Sequence, residues 1–182
     1  KVGFKLKYVD INPDTMNIDE ELAIKAIDSK TSAIIAVNYA GCSCDLEKLQ
    51  NACNDKNIML IEDAAQSINA KYKNKFLGSI GDLATFSFHE TKNITSGGEG
   101  GALIINNAKY LEDAEIIREK GTNRSKFIRE QIDKYSWVGL GGHYLMNEIS
   151  AAFLYIQMQK VAEITQNRLD SWNIYYNELL PL

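Results

Sequence analysis

The 182 residues contain no apolar run near the ~20 that a membrane-spanning helix requires. The N-terminus also lacks the basic, then hydrophobic, then small-residue order of a secretory signal, so a cytoplasmic protein without a membrane partner is expected. Cysteine is scarce. Cys42, Cys44 and Cys53 are odd in number and form no C-x-x-C, which argues against a disulfide framework or a zinc site and leaves them as small hydrophobes. Net charge is −4 with no dense Lys/Arg block, and basic and aromatic residues are not interleaved, so no nucleic-acid partner is expected.

Several catalytic signatures are missing as well. There is no P-loop, no H-E-x-x-H and no G-x-S-x-G. His89 and His143 have no companion at metal-ligand spacing, and no metal is expected. The run from Gly98 to Leu103 resembles the start of a dinucleotide fingerprint, but it leads into a predicted strand and offers no helix N-terminus to a pyrophosphate. No internal repeat or low-complexity linker is present.

What remains is 45% hydrophobic and 24% charged, enough apolar mass for one globular domain. Residues 5–11 (KLKYVDI) read as a short strand, and Asn17 to Glu20 open a helix with an acidic first turn. Residues 32–39 read as a β-branched strand, followed by helical spacing at Leu46, Leu49 and Cys53. Further strands are predicted at 58–65, at 83–89 after the turn GSIGD, and at ALIIN, and then a helix through Tyr110, Ala114 and Ile117 that stops at Gly121. Residues 144–180 hold neither proline nor glycine and predict one long helix or two abutting ones. Strands of continuous rather than alternating hydrophobicity predict an α/β fold, a mostly parallel sheet sandwiched by helices. The irregular stretch 121–142, with Arg118, Arg124, Lys126 and Arg129 in or beside it, is either a solvated loop or a contact for an anionic ligand or partner subunit.

In such sheets ligands bind beyond the carboxyl ends of strands. Asp63 falls near the end of one predicted strand, Ser87 and His89 near the end of another, and Lys92 just after it, ahead of four glycines. An amine, a carboxylate and a hydroxyl on one rim suit pyridoxal phosphate. Lys92 condenses with the aldehyde as a Schiff base and then moves protons, and Asp63 keeps the pyridine nitrogen protonated. Ser87 binds the phosphate, with Thr95 or Ser96 as lesser candidates, and Gln66 donates to the phenolic oxygen.

The blocks EDAAQS (62–67), GSIGDLATFSFHETKN (78–93) and GGEGG (97–101) resemble the signatures of the DegT-like sugar-nucleotide aminotransferases, fold-type I enzymes that use pyridoxal phosphate. The resemblance spans essentially the whole chain. It implies a homodimer, and the further blocks VDINPDTMNID (9–19), VNYAG (37–41), FSFHETKN and EIIREKGTNRS (115–125) resemble members that move an amino group from glutamate to C4 of a dTDP-4-keto-6-deoxy sugar, dTDP-4-dehydro-6-deoxyglucose, for lipopolysaccharide or common-antigen synthesis. Carried over, Lys92 is the cofactor lysine, Asp63 the partner of the ring nitrogen, Gln66 the residue at the phenolic oxygen and Ser87 a phosphate contact. Some relatives present an asparagine across the subunit interface where this chain has Leu145 in HYLMNE, with Asn147 as the substitute; relatives that dehydrate replace the lysine by histidine, whereas Lys92 is present here. The chain opens on Lys1 and stops at Pro181-Leu182, and the resemblance implies that residues 1–182 are the central part of the large domain, lacking an N-terminal segment and a small C-terminal domain.

Overall fold

A computed structural model describes residues 3–180; the reading of the chain ends at Lys1 and Pro181-Leu182 lies outside the described residues. The strand expected over residues 5–11 does not form, and only an isolated bridge joins Ile11 to Ile18. Phe4, Leu6 and Tyr8 are 73%, 70% and 86% exposed. Among the described residues no neighbouring strand lies beside them to accept a ladder, and an unpaired backbone has no reason to settle into one.

The first helix, α1 (Glu20–Lys25), has the acidic first turn the sequence predicts, but its cap is Asp19, which accepts from Leu22 N. Asn17 is buried instead, taking Tyr39 N–H on its Oδ1 at 2.8 Å and donating from Nδ2 to Cys42 O at 3.2 Å. Then come β1 (Ala33–Val37), α2 (Leu46–Lys56) and β2 (Met59–Asp63). Asp45 caps α2, and Asn57 ends it in the left-handed conformation at φ 52°. The helix is the crossover that lets β1 and β2 run parallel, with Val37 opposite Asp63.

A small hairpin, β3 (Lys71–Tyr72) with β4 (Lys75–Phe76), was not legible as strands and precedes β5 (Leu83–Ser87), which pairs in parallel with β2. The last strand, β6 (Gly101–Ile105), runs antiparallel to β5 and completes the order β1-β2-β5-β6. The reason lies in the connection: residues 88–100 contain no helix to carry the chain back across the sheet, so it can only return beside β5 in the opposite sense.

One face of the sheet is built from Ile34, Ala36, Leu60, Glu62 and Ala84 and packs on Leu46, Leu49 and Cys53 of α2, all buried. Each such leucine contributes about 1.5–3 kcal/mol of burial. The other face carries Asp63, Thr85 and Ser87, and on it Ile35, Val37 and Leu103 stay 55%, 44% and 50% exposed while Ile61, Leu83 and Ile105 are half-buried.

Beyond the sheet lie α3 (Leu111–Arg118), α4 (Arg124–Ile128), α5 (Glu148–Gln159) and α6 (Val161–Leu179). The last two abut at Lys160, as the uninterrupted periodicity of 144–180 allowed. The 121–142 stretch is folded around a glycine knot: a Cβ on Gly121 would fall 2.1 Å from Gly139 O. Arg124 pairs with buried Glu119, Arg129 with Glu115 and Lys126 with Glu112, and Arg118 also reaches Glu119.

Candidate active site

Asp63 is the last residue of β2 and Ser87 the last of β5, so both stand at the carboxyl edge of adjacent parallel strands. Thr85 is the register partner of Asp63, and the two-residue period of a strand puts Ser87 on the same face as both. Asp63 is half-buried, and its Oδ1 accepts from Ala65 N at 3.1 Å. That bond uses one carboxylate oxygen and turns the chain away from the strand. Ser87 Oγ accepts from His89 N at 3.4 Å, a long contact that leaves its hydroxyl proton uncommitted.

Gln66 follows β2 by three residues, exposed, and its Oε1 accepts from Ala40 N at 2.6 Å, just beyond the end of β1. A backbone N–H can only donate, so the oxygen end of the amide is identified and the Nε2 end is free to donate elsewhere. Lys92 is half-buried in the loop that leaves β5, its backbone N–H bonded to His89 O at 2.9 Å. The loop is closed at its neck: Phe88 N donates to Gly100 O and Ser96 N to Phe88 O, each at 2.8 Å. All four candidates thus lie on loops and strand ends of one sheet edge.

The lesser candidates are differently employed. Ser96 is 2% exposed, and its hydroxyl lies 3.1 Å from Phe88 O and 3.0 Å from Glu99 O, so it ties the loop together and is not offered to a phosphate. Thr95 Oγ1 accepts from Gly97 N. Asn147 caps α5 by accepting from Ser150 N at 2.9 Å, which occupies the oxygen of the amide that was to substitute at Leu145. His89 faces Thr91 Oγ1 through Nδ1 at 2.8 Å and Glu99 through Nε2 at 3.6 Å, inside the Lys92 loop. Among the described residues no three His, Cys, Asp or Glu side chains cluster to hold a metal.

Sequence reading missed what lies beneath Asp63. Glu62 is fully buried, its Oε2 accepting from Asn38 Nδ2 at 3.2 Å and Gly78 N at 2.8 Å, and its Oε1 from Ile80 N and Gly81 N at 2.8 Å. A carboxylate inside an apolar strand run was the available signal, because a buried acid must be supplied with donors. Beside the site, a cleft of about 500 Å³ between α6 and the loops is bordered by Ala40, Asn93, Ile94, Arg168 and Trp172. Asn69 Nδ2 donates to Thr165 Oγ1 at 3.1 Å and fixes α6 there.

The chain was compared with known proteins. The model of the DegT/DnrJ/EryC1/StrS aminotransferase family matches residues 1–182. An uncharacterized protein of Methanocaldococcus jannaschii is 38% identical over 94% of this chain and 45% of its own length. A pleiotropic regulatory protein of Geobacillus stearothermophilus is 35% identical over 92% of this chain and 43% of its own. The UDP-4-amino-4,6-dideoxy-N-acetyl-beta-L-altrosamine transaminase of Helicobacter pylori is 30% identical over 99% of this chain and 48% of its own.

Among solved structures, Helicobacter pylori PseC, an aminotransferase of pseudaminic acid biosynthesis, superposes with a TM-score of 0.86 at 27% identity, covering 96% of this chain and 45% of that one. The PLP-form of a sugar aminotransferase from Streptococcus pneumoniae gives 0.80 at 27% identity over 93% and 46%. DesI with its TDP-sugar product gives 0.72 at 26% identity over 86% and 37%. The chain spans less than half the length of each of these relatives.

Proposed function

Because the chain belongs to the DegT/DnrJ/EryC1/StrS aminotransferase family, we propose that the protein uses pyridoxal phosphate to move an amino group from glutamate to a keto carbon of a nucleotide-linked sugar. The observation that carries the reading is the shared edge: Asp63 and Ser87 end register-matched parallel strands, and the Lys92 loop springs from one of them. The donor set fits the cofactor. It offers an amine for the aldehyde, a carboxylate for the ring nitrogen, an amide N–H₂ for the phenolic oxygen and a hydroxyl for the phosphate.

When bound, pyridoxal phosphate supplies an electron-withdrawing ring that stabilises negative charge at the reacting carbon. The protein's part is positional. Asp63 holds the ring nitrogen protonated through the carboxylate oxygen that Ala65 N–H does not engage. Gln66, its oxygen pinned by Ala40 N–H, presents Nε2 to the phenolic oxygen. Ser87 donates to the phosphate, while Lys92 anchors the cofactor and afterwards carries the proton as base and then acid.

Our specific proposal for the acceptor is dTDP-4-dehydro-6-deoxyglucose, aminated at C4. The sequence blocks VDINPDTMNID (9–19), VNYAG (37–41), FSFHETKN and EIIREKGTNRS (115–125) support it, and DesI, similar in fold, was solved with a TDP-sugar product. Another keto sugar is the runner-up, since the Helicobacter pylori relative is named for a UDP-sugar. Residues 1–182 are proposed as the central part of the large domain of a homodimeric, cytoplasmic enzyme. A second reading, a cofactor-fold protein with a regulatory role, is favoured by the name of the Geobacillus stearothermophilus relative.

The deciding experiment adds pyridoxal phosphate to the complete protein and records the visible spectrum. We expect a bound-cofactor band that glutamate bleaches and that Lys92→Ala abolishes, followed by amination of the dTDP-keto sugar with the C4 configuration read by NMR. A band that glutamate leaves unchanged favours the regulatory reading. Absence of any band in the unaltered protein overturns the transaminase reading.

A further inference from the structure

Asp63 and Gln66 are held in place from below by a buried polar chain, Glu62–Asn38–Ser67. Glu62 and Asn38 are both 0% exposed and Ser67 is 1% exposed. Glu62 projects from the sheet face opposite Asp63, toward α2, and accepts from Asn38 and from three backbone N–H groups of the 78–81 turn. Asn38 immediately follows β1 and is gripped on three sides. Its N–H donates to Asp63 O at 2.9 Å, its C=O accepts from Ser67 Oγ at 2.9 Å, and its Nδ2 donates to Glu62 at 3.2 Å. Two residues on, Ala40 N–H sets the Gln66 amide. Among the described residues Asn38 Oδ1 has no partner in this buried setting, so the bond to Glu62 decides which way the amide is turned.

We propose that Glu62 is a positioning residue for the cofactor site, acting through Asn38 and Ser67 on the Asp63–Gln66 turn; the inference rests on the cofactor reading above. Four donors converge on one side chain, and only an ionised, acceptor-only carboxylate takes all four. A glutamine of the same shape must direct an N–H₂ at one of them. If Asn38 turns its free Oδ1 to receive that N–H₂, Gly78 N–H still loses its partner. The buried network then rearranges directly under Asp63 and Gln66, and the free energy of satisfying a buried donor is lost.

The test uses the complete protein and three variants: Glu62→Gln, Asn38→Ala, and Ser67→Ala, which removes a single hydroxyl and is the mildest. For each folded variant two quantities are read: the dissociation constant for pyridoxal phosphate, and the pH midpoint of the visible band of the bound cofactor. A purely structural role lowers the melting temperature and moves neither quantity. We expect affinity to fall about tenfold or more in Glu62→Gln and Asn38→Ala and severalfold in Ser67→Ala, with a displaced band midpoint. Faster amide hydrogen exchange at Asn38 and Ala40, which needs no cofactor, should accompany it.

Wild-type affinity and midpoint in any folded Glu62 or Asn38 variant overturn the inference. If neither variant folds, unchanged affinity and midpoint in Ser67→Ala overturn it. An unaltered protein that gives no band overturns the functional reading and this inference together, whereas a normal band with unresponsive variants overturns only this one.

Discussion

Asp63 and Ser87 project from the same face of the sheet at the ends of two adjacent parallel strands, because Thr85 is the register partner of Asp63 and Ser87 lies one strand period beyond it. The relationship makes a prediction at each end. Replacing Asp63 by Asn preserves an acceptor for Ala65 N–H and removes the charge that, in the proposed function, keeps the cofactor ring protonated. The transamination rate should fall about 10²–10³-fold, the range for deleting one preorganised electrostatic partner, with little change in melting temperature. Steady-state kinetics with a thermal scan checks it; a folded Asp63→Asn enzyme of near-normal rate removes Asp63 from the role.

Asp45 governs a pH response far from this edge. Its carboxyl pKa is held below the ordinary 3.8, first by the hydrogen bond from Tyr72 Oη at 2.7 Å and then by Lys48 N–H at the start of α2. A folded value below the unfolded one means that the contribution is fully present above the ordinary carboxylate range and is lost as pH falls through the lowered value. Removing the cap by Asp45→Ala should cost about 1 kcal/mol at neutral pH, whereas Asp45→Asn keeps the cap and flattens the acid limb. Denaturant melts at neutral pH and near pH 3 test both statements.

The thiols offer a third check. Burial pushes Cys44 up to about 12 and Cys53 up to about 11, so neither forms much thiolate at neutral pH. Iodoacetamide labelling followed by peptide mass spectrometry should find both protected in the native protein and modified only after denaturation. Fast native labelling of Cys53, which is wholly buried against Leu60 in the core, contradicts this packing.

The central strands were legible because parallel strands buried among helices leave continuous apolar runs, and 32–39, 58–65 and 83–89 each contain the observed strand. The antiparallel sense of β6 was not legible. It depends on the 88–100 connection containing no helix, which the lysine and glycines of that loop signal only weakly. Residues 5–11 carried a strand-like pattern, yet a pattern without a partner strand leaves Phe4, Leu6 and Tyr8 in solvent. At the sheet edge, the positions of Asp63 and Ser87 at strand ends, and of Gln66 and Lys92 in the loops that follow, were readable. The roles of Glu62, Asn38 and Ser96 were not, since each depends on which backbone groups the fold brings within reach.

Gly100 joins the fold to the site through the loop that bears Lys92. A Cβ there would lie 2.5 Å from Ser96 Oγ and 2.7 Å from Met146 Cε, at the neck where Phe88 N–H meets Gly100 O. The methionine end can swing aside. Ser96 cannot, because it is buried and its hydroxyl spans Phe88 O and Glu99 O. Gly100→Ala should therefore open the neck and cost about 1–3 kcal/mol of stability, as overpacking does. Lys92 hangs from this loop through His89 O, so the same variant should bind pyridoxal phosphate more weakly than Gly98→Ala, whose added Cβ meets nothing within 4 Å. Parallel cofactor titrations and thermal scans of the two variants decide the matter: equal affinities would show that the neck does not control where Lys92 sits.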